Sequence, residues 1–139
     1  MKKFLLATTV LASLAFVASA QAGDGKIKIG VLNDQSSSFS ALGGTEVVKA
    51  VELAIKDFGG QVLGQPIELV SADHQNKADV ALGIARQWLD KDNVDVIADV
   101  ANSAVSLGIN TLIGEKKSIG LFVSPLSDKS TEADCNGRV

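Results

Sequence analysis

The chain has no tyrosine, and among its 139 residues only one tryptophan, one cysteine and one histidine. A stacking platform for nucleic-acid bases needs several aromatic rings on one surface, and beyond residue 22 only Phe39, Phe58, Trp88 and Phe122 are present, too few to build one. No basic run is present either, and the formal charge is -3, so nucleic acid is not an expected partner. With His74 and Cys135 far apart, and no H-E-x-x-H or paired-cysteine motif, a zinc site would have to rest on carboxylates, so no metal is expected. Also missing are G-x-x-x-x-G-K, a G-x-G-x-x-G after the first strand and a G-x-S-x-G elbow. Nucleotide chemistry and a strained nucleophile turn are therefore without support, and no cofactor is expected.

What is present begins with an address. Lys2-Lys3 is a basic n-region, residues 4–17 are a short apolar core, and Ala18-Ser19-Ala20-Gln21-Ala22 offers overlapping small-x-small cleavage sites. This reads as a secretory signal peptide over residues 1–22, cleaved near Ala20 or Ala22. A membrane anchor needs about 20 apolar residues, more than this core supplies, so no anchor is expected after cleavage. The remainder, residues 23–139, is the size of one modest domain. Cys135 stands alone in a compartment that favours disulfides, which suggests a missing partner.

The organising stretch is residues 94–114, VDVIADVANSAVSLGINTLIG. An apolar run to Val100 reads as a strand, and Val105, Ile109, Leu112 and Ile113 recur at helical spacing behind Ala101-Asn102-Ser103. Asn102 or Ser103 can cap that helix, whose remaining free N–H groups face the strand's end and suit an anion. An ordinary helix cap is the simpler reading of the same pair.

Before it, residues 27–32 (IKIGVL) form a strand followed by a serine-rich loop. Thr45 is the expected cap of a helix whose apolar face is Val47, Val51, Ala54, Ile55 and Phe58, ended by Gly59-Gly60. Residues 61–65 read as a turn, and Pro66 opens a strand over 67–72 that ends in Asp73 and His74. A second helix from Ala78 carries Ala81, Ile84, Ala85, Trp88 and Leu89 inward, with Trp88 in the core. A strand over 119–123, apolar throughout, is expected to be covered on both faces and ends in Ser124-Pro125-Leu126-Ser127. Three strand-helix units and a further strand imply an α/β fold, a three-layer, Rossmann-like parallel sheet. In such a sheet ligands sit beyond the carboxyl ends of the strands. After Ser127 the chain is polar and no further helix follows, so the sheet reads as cut short.

Asp73 and His74 read alternatively as an acid–base pair in a small secreted α/β hydrolase-like enzyme. Adjacent strand residues point to opposite faces, so the simpler expectation is a solvated loop histidine. Lys116-Lys117 is expected to be a solvated helix end.

Taken in order, IKIGVL with its serine loop, AVELAIKDFGGQVLGQPIELVSADHQNKADVA, and V-x-x-I-x-D-V-x-N-S before a strand ending S-P resemble one family. It is the first lobe of the type I periplasmic solute-binding proteins, in the branched-chain amino acid (leucine/isoleucine/valine) group that serves ABC importers. The resemblance implies two α/β lobes closing on a ligand, an ABC permease as partner, and binding without catalysis. It also implies that the ligand carboxylate is held from the turns after the third and fourth strands, here Asn102 and Ser103, and Leu126 and Ser127. Leu42 falls where an apolar or aromatic wall is expected and where several members carry tryptophan. No cysteine stands where the family's disulfide would form, and the hinge and second lobe are missing from this sequence, which resembles a lobe fragment.

Overall fold

The computed structural model describes residues 25–139, so the signal peptide expected at residues 1–22 lies outside the described residues. β-Branched and apolar residues build β1 (Ile27–Asn33), β3 (Gln65–Asp73), β4 (Val96–Ala98) and β5 (Ile119–Leu121), with a two-residue β2 (Gln61–Val62) ahead of β3. Three helices alternate with them: α1 (Gly44–Phe58), α2 (Ala78–Asp90) and α3 (Ser103–Lys116). The sheet order is β2-β3-β1-β4-β5. β3, β1, β4 and β5 run parallel, as expected, and β2 alone is antiparallel.

This order fixes the layers. The chain leaves β1 towards β3 through α1, then returns past β1 to β4 through α2 and continues the same way to β5 through α3. Right-handed crossovers in opposite directions put α1 on one face and α2 with α3 on the other. The direction reverses between β1 and β4, and there the loops after the two strands part to opposite faces and open a crevice.

The core lies on the α2–α3 face. Leu32, Ile97, Val100, Val105, Ile109 and Ile113 are buried there with Ala81, Ala85 and Trp88. Gly30 shows how closely α2 rests on β1: a Cβ there would lie 2.5 Å from an atom of the Trp88 ring. Behind α3, the buried Asn110 holds the last residues, donating to Asp134 O at 2.8 Å while its side-chain oxygen accepts from Asn136 at 2.9 Å.

Several expectations need correction. Residues 61–65 are not only a turn: Leu63 and Gly64, at φ 49° and 78°, reverse the chain into a two-residue hairpin onto Pro66. The cap of α1 is Gly43 rather than Thr45, and no cap side chain accepts from the N–H groups of its first turn. Ala54 and Phe58 of its apolar face are exposed, because α1 rests on β1 and β3 through Val47, Val51 and Ile55, the half-buried part of that face. The last strand stops at Leu121, and Ile119 and Leu121 are exposed rather than covered, since no helix among the described residues lies on the α1 side of β4 and β5. The central strand is likewise shorter than its apolar run, Val96–Ala98, because Asp99 turns into the left-handed region at φ 59°. Lys116, expected to be simply solvated, pairs with Asp90 of α2.

Candidate functional site

The five residues singled out in the sequence stand in the connections that follow β1, β4 and β5, with Ser103 at the start of α3. Asn102 is the cap of α3, and its Oδ1 accepts from Ala104 N–H at 2.8 Å and Val105 N–H at 3.1 Å. Ser103, the first residue of α3, accepts on its Oγ from Leu126 N–H at 3.1 Å. That bond joins the turns after β4 and β5. Ser127 caps the 3-10 turn Asp128–Ser130, its Oγ accepting from Lys129 N–H at 3.4 Å. Leu126 is 95% exposed. Leu42 ends the 3-10 turn Ser40–Leu42 and is 71% exposed; its own N–H goes to Phe39 O, and it is not hydrogen-bonded to the other four.

The polarity of this rim follows from how the hydroxyls are used. Both Ser103 Oγ and Ser127 Oγ accept a backbone N–H, which leaves their hydroxyl protons without an acceptor among the described residues. The N–H of Ser103 is one of the orphan donors of the α3 terminus, since Asn102 takes Ala104, Val105 and, through its carbonyl, Ser106. The rim therefore presents donors, at the positive end of a helix dipole, and suits an acceptor such as a carboxylate.

Beneath it is a polar network that sequence reasoning did not foresee. Asn33, at the end of β1, donates to Asp99 Oδ2 at 3.0 Å and to Gly44 O at 2.7 Å, and so joins β1, β4 and the start of α1 below the crevice. Asp34 is buried and accepts from Ser36 N–H, Ser37 N–H, Ser37 Oγ and Phe39 N–H. Burial pushes its pKa up, but these bonds, led by that from the Ser37 hydroxyl, outweigh it and hold the group below its ordinary 3.8. Asp73 behaves alike: burial raises it, while Ser36 Oγ, Gln35 N–H and Gln75 N–H prevail and lower it.

His74 is not a solvated loop residue. It is 1% exposed, its Nδ1 accepts from Asn76 N–H at 3.0 Å, and its Nε2 finds no partner among the described residues. Burial depresses its pKa below 6.5 against the charges of Asp34, Asp73 and Asp99. With Asp73 occupied by loop donors and His74 enclosed, the pairing imagined for an enzyme has no support here. Asn76 joins the rim from below: its Nδ2 donates to Ser38 Oγ at 3.0 Å, and its Oδ1 accepts from Asn102 Nδ2. The signal that could have found it is the N-K after His74, an Asx-type residue at a strand end.

No curated protein is matched by the chain at significant similarity. Solved structures are. A periplasmic binding protein from Burkholderia mallei shares 39% identity at a TM-score of 0.79, over 81% of this chain and 30% of that one. A branched-chain amino acid ABC transporter periplasmic ligand-binding protein from Burkholderia xenovorans shares 48% identity at a TM-score of 0.78, over 81% and 30%. A leucine binding protein from Thermotoga maritima shares 28% identity at a TM-score of 0.70, again over 81% and 30%. The chain thus spans about 30% of the length of these proteins. The periplasmic binding protein family model matches residues 26–139, nearly all that the structure describes, and the fold is that of a type I lobe: the chain belongs to the periplasmic binding protein family.

Proposed function

We propose that residues 23–139 form the N-terminal lobe of the extracytoplasmic substrate-binding component of an ABC importer for amino acids or related small carboxylates or amides. The observation that carries this reading is the set of free donors on the rim, Ser103 N–H and the hydroxyls of Ser103 and Ser127, with no side-chain cation among the rim residues. Such donors hold a carboxylate without a buried ion of opposite sign. Asn102 and Leu126 set the two turns, and Leu42 supplies an apolar wall to the ligand's side chain. The similarity to proteins described as branched-chain amino acid and leucine binding supports the amino-acid class. In this reading the leader is cleaved near Ala20 or Ala22, the lobe works in the periplasm or outside the cell, and the partner is the importer's permease.

Ser103 gives the test. Its hydroxyl both donates to the ligand and holds Leu126, so Ser103→Ala is expected to weaken L-leucine binding about tenfold, the value of one hydrogen bond to a charged group. Amide chemical shifts during an L-leucine titration read this. Equal affinity for the variant and the parent chain counts against the reading.

A further inference from the structure

We infer that His74 is a positioning residue for the α3 turn, a neutral imidazole that locks the Asn102–Ser103 rim through Asn76 and releases it on protonation. Nδ1 accepts the backbone N–H of Asn76 at 3.0 Å, so that nitrogen carries no proton and the neutral ring holds its proton on Nε2. The bond closes a loop in which Gln75 and Asn76 both sit in the left-handed region, at φ 52° and 56°. Asparagine takes this conformation readily but glutamine does not, so the backbone at Gln75 persists only while something holds it. Two contacts do so beside His74: Asp73 Oδ1 takes the Gln75 N–H at 2.8 Å, and Ser38 Oγ takes the Asn76 side chain at 3.0 Å. Held in this way, Asn76 Oδ1 receives Asn102 Nδ2, and the same Asn102 caps Ala104 and Val105.

Protonation reverses the sense of the first bond. An Nδ1–H facing the Asn76 N–H sets donor against donor, and the ring cannot turn away because it is 1% exposed. The loop must then move, carrying Asn76 from Asn102. The groups facing the ring are Asp34 in the loop after β1, Asp73 on its own strand and Asp99 after β4, all of which favour the imidazolium. Against them stand burial and the positive end of α2, which Lys77 caps; Asp79 in the first turn of that helix carries the same sign as the three aspartates. The orphan Nε2 proton fits this account: a buried donor left without an acceptor is costly, and the work done by Nδ1 is the reason to keep an imidazole there.

The inference that this link tunes ligand capture rests on the binding role proposed for the rim, but its first test does not need a ligand. Hydrogen-exchange protection at Ala104 and Val105, corrected for intrinsic rates and referenced to Val31 and Leu32 in β1, is followed from neutral to mildly acid pH. Protection is expected to fall about tenfold with the same midpoint as the His74 ring nitrogens, whose NMR shifts should show the Nε2–H tautomer at neutral pH. His74→Asn, whose Oδ1 can accept the same N–H without titrating, should keep full protection throughout. His74→Leu should lose it at every pH. Protection independent of pH in the parent chain, a midpoint different from that of the ring, or a parallel fall in His74→Asn overturns the proposal. If the His74→Asn chain does not fold, the comparison of midpoints in the parent chain decides alone. L-leucine added at both ends of the pH range separates the two readings: absence of binding at both ends removes the ligand role and leaves the His74 link standing.

Discussion

Gly30 lacks a side chain because Trp88 fills the space beside it, and a methyl group there would sit 2.5 Å from the ring. Gly30→Ala is therefore expected to destabilise the chain by about 2 kcal/mol, the scale of overpacking in a close-fitted core. Urea denaturation followed by Trp88 fluorescence measures it, and an unchanged midpoint would mean that the ring moves freely. Leu63 offers the opposite sign. It is 98% exposed and held at φ 49°, a conformation that costs a branched side chain energy and returns no packing. Leu63→Asn should stabilise the hairpin by about 0.5–1 kcal/mol, because asparagine accepts this backbone. Asn102→Asp isolates one half of a double role: the capping oxygen remains while the donor to Asn76 is lost. The expected result is that protection at Ala104 and Val105 no longer follows the titration of His74, together with altered amide shifts at Asn76.

The loops after β1 and β3 set the acid response of the fold. Asp34 and Asp73 have pKa values below 3.8 in the folded chain, so their contribution is complete above about pH 4 and is lost as pH falls through the depressed values. His74 is depressed below 6.5, so the unfolded chain takes up its proton first and stability declines as pH drops below that value. Urea midpoints should therefore fall in two stages, and His74→Asn should abolish the earlier one. The strands and helices themselves were readable in the sequence because their apolar periodicity is a local record of burial: α2 places Ala81, Ala85 and Trp88 where the spacing put them. A cap at Asn102 or Ser103 was readable for the same reason, since a capping side chain serves the helix next to it; the structure gives that role to Asn102. What periodicity could not carry was pairing across the sheet. Asn33 with Asp99 and Asn76 with Asn102 join residues 66 and 26 positions apart, and a polar residue at a strand end looks alike whether solvated or enclosed. His74 misled for this reason, and β5 misled because an apolar run does not say which face a helix covers.

As a whole, the molecule is unevenly clothed. The α2–α3 face is packed, while on the other side Ile119, Leu121 and Val123 are 50%, 55% and 76% exposed beside the partly seated α1. A native chain with such a face should enhance the fluorescence of an apolar-surface dye such as ANS, and Leu121→Ser should reduce that enhancement without changing the urea midpoint much. One lobe also leaves much of a small ligand in water, so affinity of the 139-residue chain is expected to be weak, with a dissociation constant near the millimolar range. The central claim is that the donors of the α3 turn and of Ser127 donate to a ligand carboxylate, and its most direct test is a pair of amide-shift titrations with L-leucine and with L-leucinol, which lacks that group. Saturable shifts at Ser103, Ala104 and Ser127 with leucine, absent with leucinol, are the predicted result. Equal shifts with both compounds, or shifts with leucine that leave those three amides unmoved, would contradict it.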